Sequence, residues 1–241
     1  MVKKSSSWIN DFFAAGSRDL TPPFIRHAAH ILYAPVSRDS EVSRRCASVL
    51  SQIEMQRASR FADEFDRAQF VQRRAFRRFC GASVLGSTTS LSHVHFEETE
   101  TGRPHLAAMP GAWFSFSSCR LGLLAAWSLT HAIGVDVEDQ TRSLDILELS
   151  RRFFSENESK AVEHASGLGR LRIFFRLWCL KEAALKSIGE GLPFGLDAFQ
   201  FELNPLAVVR APSGFGGRMQ FTPHIIAGTG GCAALVVRNM A

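Results

Sequence analysis

The chain has 241 residues, of which 46% are hydrophobic and 21% charged, with 20 phenylalanines and a single tyrosine. This is the composition of a globular protein long enough to bury a sizeable core, and no segment approaches the roughly 18 apolar residues that a membrane-spanning helix needs. The formal net charge of +5 lies in the first half, where 16 Lys and Arg face 11 Asp and Glu up to residue 130, against 12 and 12 thereafter. Such an excess favours an anionic partner, and nucleic acid, a phosphorylated cofactor or an acidic protein would each fit.

Cysteine usage and the N-terminus bear on the cellular compartment. The five cysteines are scattered along the chain without CxxC spacing. The first twenty residues contain no uninterrupted apolar run suited to a signal peptide. We therefore expect a cytoplasmic protein with reduced cysteines and no membrane partner.

The first half is predicted to be helical and then to change to strands. Residues to about Leu20 are polar and are expected to be flexible, and two helices follow, one ending near Phe61 and one running from about Phe65 to Phe79. The basic run "RRAFRRF" within the second helix is interpreted as a solvated face with its phenylalanines turned inward. A nucleic-acid-binding role for this run has no recognisable reading motif to support it.

From His93 the pattern alternates as in strands. We predict a strand and turn over "VHFEETETGRPHL", then strands at Trp113–Phe116, Leu121–Trp127 and Ile133–Val137. Helices return after residue 142, with Ser155 and Glu158 at capping-box spacing, and short strands end the chain. Helices with a small antiparallel sheet in each half predict an α+β fold, with halves at 1–130 and 131–241.

Two carboxylates are predicted to lie on one face of the strand "IGVDVE". Side chains alternate along a strand, so Asp136 and Glu138 share a side. Adjacent carboxylates repel unless a cation lies between them, and oxygen ligands suit Mg²⁺. The alternative is an exposed strand end with ordinary surface acids.

A third carboxylate lies in the helix "FRLWCLKEAALKSIGEGL". Glu182 and Lys186 are one turn apart on the same face, and Lys181 is adjacent in sequence to Glu182. A carboxylate flanked by ammonium groups fits a metal ligand beside phosphate-binding lysines. The alternative is an i,i+4 ion pair on a half-exposed helix, worth only a few tenths of a kcal/mol.

Taken together, these segments resemble the signature of the 4′-phosphopantetheinyl transferases of the surfactin-synthetase-activating type. That pattern is G-[IV]-D-[IV]-E, then F-x-x-x-E, then W-x-x-K-E-[AS]-x-x-K-x-x-G. Here "GVDVE", "FFSENE" and "WCLKEAALKSIG" supply its three parts. Upstream, "GRPHL" is similar to the family's G-[KR]-P segment and "ASRFADEFDRAQF" to its R-F…D-R-x-R-F segment.

The resemblance implies a pseudo-twofold α+β protein with an active site between two similar halves, and a monomer. Such enzymes use Mg²⁺ and transfer 4′-phosphopantetheine from coenzyme A to a serine of an acyl or peptidyl carrier protein. Carried over by position, the metal ligands are Asp136, Glu138 and Glu182, and the catalytic residues are Asp136, Glu182 and Lys186. The implied coenzyme A contacts are Arg60, Arg103, Pro104, Ser117, Ser118, Lys181 and Lys186.

Two positions depart from the family pattern, and both fall on implied phosphate contacts. Ser118 stands where a histidine is expected, and Gln69 stands where an arginine is expected. Each change removes a charge-assisted hydrogen bond worth roughly 1.5–3 kcal/mol. A second interpretation therefore stays open: a homologue with weakened coenzyme A binding that acts as a carrier-protein-binding or regulatory protein.

Overall fold

The fold is described from a computed structural model, which covers residues 3–86 and 89–239. The helices are α1 Lys3–Gly16, α2 Ser40–Ala47, α3 Gln52–Ala58, α4 Glu64–Leu85, α5 Ile146–Phe153, α6 Glu156–His164 and α7 Gly167–Ser187. The strands are β1 Arg18–Asp19, β2 His30–Pro35, β3 Phe96–Glu98, β4 Pro104–Leu106, β5 Trp113–Cys119, β6 Gly122–Ser128, β7 Ala132–Glu138, β8 Gln200–Leu203, β9 Leu206–Arg210, β10 Phe221–Ile226 and β11 Cys232–Arg238. Helices packed on small antiparallel sheets confirm the predicted α+β class.

The first half packs helix α4 against a four-stranded antiparallel sheet with the order β1-β2-β6-β5. The Asp63 carboxylate accepts a hydrogen bond of 2.9 Å from the Asp66 N–H and caps the start of this helix. The apolar face of α4, including Phe70 and Phe76, is buried against Phe114 of β5. The core of this half therefore forms between one long helix and one face of the sheet.

The second half repeats this arrangement with helix α7 and a three-stranded antiparallel sheet of order β10-β11-β7. Phe174, Leu177 and Leu185 of α7 are buried in the same cluster as Val236 of β11. The predicted capping box is present in α6, where the Ser155 and Glu158 side chains each bond the other residue's backbone N–H.

The two sheets meet where β5 crosses β7. A third buried cluster contains Tyr33 of β2, Leu124 of β6, Val135 of β7 and Leu235 of β11. The Ser115 hydroxyl accepts a hydrogen bond of 3.0 Å from the Val135 N–H, so a side chain joins strands that belong to different sheets. The chain passes from one sheet to the other between β6 and β7.

The N-terminal segment differs from the expectation of flexibility. Residues 3–16 form helix α1, in which Ile9 and Phe13 are fully buried and Phe13 packs against Phe76. Apolar residues at positions 8, 9, 12 and 13 give one face at helical spacing, and this face covers the core of the first half. Residues 1 and 2 lie outside the described residues.

None of the described helices combines the length and the apolar character that crossing a bilayer requires.

Candidate active site between the two halves

A glycine brings helix α7 close to strand β7. A Cβ atom added at Gly134 would lie 1.9 Å from the Ala183 carbonyl oxygen and 2.6 Å from the Ser187 nitrogen, so only glycine permits this approach. Ala183 lies next to Glu182, and Ser187 next to Lys186. The contact therefore sets the distance between the functional residues of α7 and the carboxylates of β7.

Asp136 is the centre of the site. Its side chain is buried, and its Oδ1 atom accepts hydrogen bonds of 2.7 Å from Lys186 Nζ and 2.8 Å from Ser117 Oγ. Lys186 Nζ also donates to the Val135 carbonyl at 3.1 Å. The second carboxylate oxygen, Oδ2, is buried and has no hydrogen-bond partner among the described residues, which leaves it free to accept a donor or a cation.

Glu138 and Glu182 lie close enough to Asp136 for their charges to interact. Burial raises the pKa of Glu182 above its usual value, and Asp136 and Glu138 add to the rise against the opposing charge of Lys186. Burial and then Asp136 likewise raise the pKa of Glu138, although Arg142 donates to Glu138 at 2.7 Å. Clustered carboxylates whose pKa values rise in this way lower their energy when a cation binds.

The Lys186 ammonium partly supplies that positive charge. Burial disfavours the charged form of Lys186, but Asp136 and Glu182 outweigh this effect and raise its pKa above the usual value. The side chain is 29% exposed, so its ammonium can meet both the carboxylates and a ligand in the neighbouring cleft.

The donor set fits a hard divalent cation in its chemistry, although the side chains do not form a ready metal cage. Within residues 3–86 and 89–239, no three His, Cys, Asp or Glu side chains are arranged to hold a metal ion. The free Oδ2 of Asp136 and the oxygens of Glu138 and Glu182 are nevertheless the oxygen ligands that Mg²⁺ prefers. Mg²⁺ usually keeps several waters and takes substrate phosphate oxygens beside its protein carboxylates, so carboxylates that do not yet form a closed cage are compatible with binding.

A cleft of about 220 Å³ adjoins Lys186 at the boundary between the halves. Arg103 and Pro104 line it, and the Arg103 guanidinium lies 4.0 Å from the centre of the Trp113 ring. Thr101 Oγ1 donates to the Gly189 carbonyl at 2.5 Å, which ties the β3–β4 turn of the first half to the end of α7. The cleft thus places cations of both halves around one space.

Comparisons with known proteins agree with this arrangement. A family model described as the 4′-phosphopantetheinyl transferase superfamily matches residues 132–219, the segment that contains Asp136, Glu138, Glu182 and Lys186. The 4′-phosphopantetheinyl transferase HetI of Nostoc is 30% identical over 181 residues, with 73% of this chain and 74% of the relative aligned. The chain belongs to the 4′-phosphopantetheinyl transferase family.

Two further relatives of this family align over smaller shares of their length. A phosphopantetheinyl transferase of Thraustochytrium is 31% identical, covering 66% of this chain and 59% of the relative. The 4′-phosphopantetheinyl transferase Sfp of Bacillus subtilis is 31% identical over 113 residues, covering 47% of this chain and 49% of Sfp. The predicted family and enzyme class are therefore confirmed.

Three residues of the family motifs, Asp136, Ser117 and Lys186, are in direct contact in the structure. Two others, Arg103 and Pro104, line the cleft beside Lys186. Lys181 does not join this group. Its ammonium is fully buried, lies 2.8 Å from the Glu158 carboxylate and donates to the Leu196 and Phe199 carbonyls. Lys181 forms a buried ion pair and points away from Glu182, because successive residues of a helix point about 100° apart. Its contact with a phosphate of coenzyme A, which the resemblance implies, stays a prediction.

Arg60 and the two atypical positions form no hydrogen bond or ion pair with Asp136, Glu138 or Glu182 in the part of the chain that the structure describes. Arg60 is exposed and lines a separate cavity of about 260 Å³ with Arg57 and Arg73. Gln69 donates from its side-chain amide to the Cys119 carbonyl and so holds the end of β5. Ser118, the residue before Cys119, lies on the opposite face of β5 from Ser117 and therefore does not share its bond to Asp136.

Two functional features of this family member were missed at the level of sequence. The basic run of α4 is not a solvated face, because Arg78 is buried and Arg77 lines the cleft. Ser115 joins the two sheets through the Val135 N–H. The alternation of Ser115 and Ser117 on β5 could have indicated that both serines face the neighbouring sheet. No signal in the sequence could have indicated the position of Arg77, because a solvated helix and a helix that lines a cleft with arginines show the same pattern of charges.

Proposed function

We propose that the protein transfers 4′-phosphopantetheine from coenzyme A to a serine hydroxyl of an acyl or peptidyl carrier protein, in a reaction that depends on Mg²⁺. The observation that carries this proposal is the 2.7 Å contact of Lys186 with Asp136, beside a cleft lined by Arg103. Phosphoryl transfer needs positive charge and exact positioning more than a covalent intermediate. Both are available at this boundary.

The proposed step exchanges one P–O bond for another. The serine oxygen of the carrier bonds to the phosphorus that carries the pantetheine, and the bond from this phosphorus to the bridging oxygen breaks, which releases 3′,5′-ADP. Glu182 would accept the serine proton, since its raised pKa makes it a stronger base than an ordinary glutamate. Lys186 would supply a proton to the departing phosphate and stabilise its charge.

Asp136, Glu138 and Glu182 would hold Mg²⁺, which when bound would offset the negative charge of the diphosphate. The free Oδ2 atom of Asp136 supports this assignment, because its other oxygen already has two hydrogen-bond donors. Arg103, which lines the same cleft as Lys186, would bind phosphate there.

The excess of positive charge in the first half would attract the carrier protein. Carrier proteins of such pathways are typically acidic, and opposite net charges speed the encounter of two proteins. The transfer rate at low carrier concentration is therefore expected to fall as salt is added.

Calorimetric titration with coenzyme A tests the proposal before any carrier is chosen. We expect binding in the presence of Mg²⁺, weaker binding with EDTA, and little dependence on Mg²⁺ in Glu182→Gln. Glu202→Gln, an exposed carboxylate on β8, is the control and should behave like the wild type. A protein that binds carriers but not coenzyme A would instead be the carrier-binding homologue.

A further inference from the structure

Arg77 occupies a position that the family motifs do not describe. It lies on α4 and lines the cleft that also contains Arg103 and Lys186. It also lines a second cavity of about 350 Å³, together with Arg57 and Arg74. One guanidinium therefore faces the active-site cleft and a neighbouring basic cavity.

Positive charge in the second cavity exceeds the negative charge available to pair with it. Four arginines line the cavity, against Glu54 and Glu98. The Arg78 guanidinium donates hydrogen bonds of 3.1 and 2.7 Å to the two oxygens of the Glu54 carboxylate. Arg74 Nε lies 3.7 Å from the same Glu54 carboxylate and Arg77 lies 3.9 Å from Glu98, so among the described residues neither arginine has a carboxylate at hydrogen-bond distance.

Arg77 in particular lacks an anionic partner at bonding distance. Its nearest carboxylate oxygen, on Glu98, is 3.9 Å away. Its Nε atom and that of Arg74 are buried and bond to nothing among the described residues. The guanidinium carbon lies over the ring of Phe116, 5.0 Å from the ring centre.

This arrangement is unfavourable in the free protein. Burial, together with repulsion from Arg74 and Arg73, lowers the pKa of Arg77 to about 9. The side chain is still charged at neutral pH, so the protein keeps a desolvated cation close to other cations. A bound anion would relieve both the desolvation and the repulsion.

We propose that Arg77 is a substrate-binding residue that holds a phosphate group of coenzyme A, with Arg74 supporting it from the second cavity. The inference rests on the proposed function and extends it to a residue outside the family motifs. It also accounts for the two departures at Ser118 and Gln69, because a cation from α4 can supply the charge that those positions lack. The phosphate group is either part of the diphosphate or the phosphomonoester on the ribose.

Titration of Arg77→Gln with coenzyme A and with 3′-dephospho-coenzyme A distinguishes these sources. Loss of one charge-assisted hydrogen bond should weaken binding about ten- to one-hundredfold. A loss for coenzyme A alone assigns Arg77 to the phosphomonoester, and an equal loss for both compounds assigns it to the diphosphate. Unchanged affinity for both compounds overturns the proposal.

Two further measurements separate binding from folding. Without ligand, Arg77→Gln should melt at the wild-type temperature or above, since it removes an unpaired buried cation, and a lower melting temperature with unchanged ligand affinity would assign Arg77 a purely structural role. Arg44→Gln removes the same charge from an exposed side chain of the first half and should leave both affinities unchanged. Arg77→Lys, which keeps the charge, should retain part of the affinity.

The wild-type titration keeps this inference distinct from the proposed function. If the wild type binds neither compound, the proposed function is contradicted, and with it the role of Arg77. If the wild type binds coenzyme A and transfers phosphopantetheine while Arg77→Gln does so equally well, only the role of Arg77 is wrong.

Discussion

Lys186 Nζ lies 2.7 Å from Asp136 Oδ1 and thereby joins the last turn of α7 to the C-terminal end of β7. The bond connects two motifs that are 50 residues apart in the chain. Asp136 is buried, so its charge depends on this ammonium and on the Ser117 hydroxyl. The pair therefore has a structural role in the free protein as well as its proposed role in transfer.

Replacing Lys186 with methionine should destabilise the free protein and abolish transfer. Removing one partner leaves the buried Asp136 carboxylate without its cation, and a fully buried pair loses about 3–5 kcal/mol in this way. Because Lys186 is 29% exposed, we expect a loss in the free energy of unfolding at or below about 3 kcal/mol. Urea unfolding measures this loss. The double variant, Lys186→Met with Asp136→Asn, should recover most of it, because it leaves no unpaired charge. A double variant as unstable as Lys186→Met would mean that the two side chains are not coupled.

Glu182→Gln should abolish transfer while stabilising the free protein at neutral pH. The pKa of the Glu182 carboxyl is raised in the folded state. As the pH rises above the ordinary value of 4.5, this carboxyl therefore stays protonated in the folded protein after it has ionised in the unfolded chain. Stability therefore falls as pH rises through this window, and the neutral glutamine avoids that fall. The stability advantage of the variant should vanish as the pH drops to about 4.5, which urea unfolding at several pH values will measure.

For transfer, we expect the same variant to lose at least about a hundredfold in rate, as the loss of a general base commonly costs. Glu202→Gln provides the matched control for both readouts, because it removes an exposed carboxylate. Near-normal turnover by Glu182→Gln would exclude Glu182 as proton acceptor and metal ligand.

Lys181→Met should act on stability and leave substrate affinity unchanged. The ammonium and the Glu158 carboxylate are both buried, and the loss of one should cost about 3–5 kcal/mol in the free energy of unfolding. Lys160→Met breaks an exposed pair with Glu156 and should leave the free energy of unfolding nearly unchanged, because water screens an ion pair at the surface. A raised KM for coenzyme A in folded Lys181→Met would contradict this expectation and support the phosphate contact that the resemblance implies.

Gly134→Ala should disturb the site by moving α7 away from β7. The added methyl group would overlap the Ala183 carbonyl oxygen, which belongs to the backbone and has no other rotamer. We expect a stability loss of about 1–3 kcal/mol and reduced transfer, measured by unfolding and by turnover. Gly169→Ala, near the start of α7 with open space around it, should be neutral or stabilising, so equal losses in both variants would show that the close approach is unimportant.

The sequence was informative where one element carries its own periodicity. The alternation along β7 placed Asp136 and Glu138 together, and the one-turn spacing in α7 placed Glu182 and Lys186 on one face. The capping box of Ser155 and Glu158 was predicted from three-residue spacing and is present. These features depend on neighbours in the chain, so local geometry determines them.

Contacts between distant elements were not predictable in the same way. Lys181 was grouped with Glu182 because they are adjacent in sequence, yet it pairs with Glu158, 23 residues earlier. Arg77 and Arg78 are adjacent as well, but only Arg78 meets Glu54, since the packing of α3 on α4 decides which side chain faces the carboxylate. Helix α1 was overlooked although Ile9 and Phe13 lie at helical spacing, because the polar residues around them dominate the composition of that segment.

The most direct test of the proposed transfer is intact-mass spectrometry of apo carrier proteins from fatty-acid, polyketide and peptide assembly. Each carrier is incubated with this protein, coenzyme A and Mg²⁺, and in parallel with EDTA or with Glu182→Gln. We predict that at least one carrier gains the mass of one phosphopantetheine, and that it gains none with EDTA or with the variant. No gain on any carrier by the folded wild-type protein, under conditions where a known transferase modifies all of them, would contradict the transfer activity proposed for the Asp136–Lys186 site.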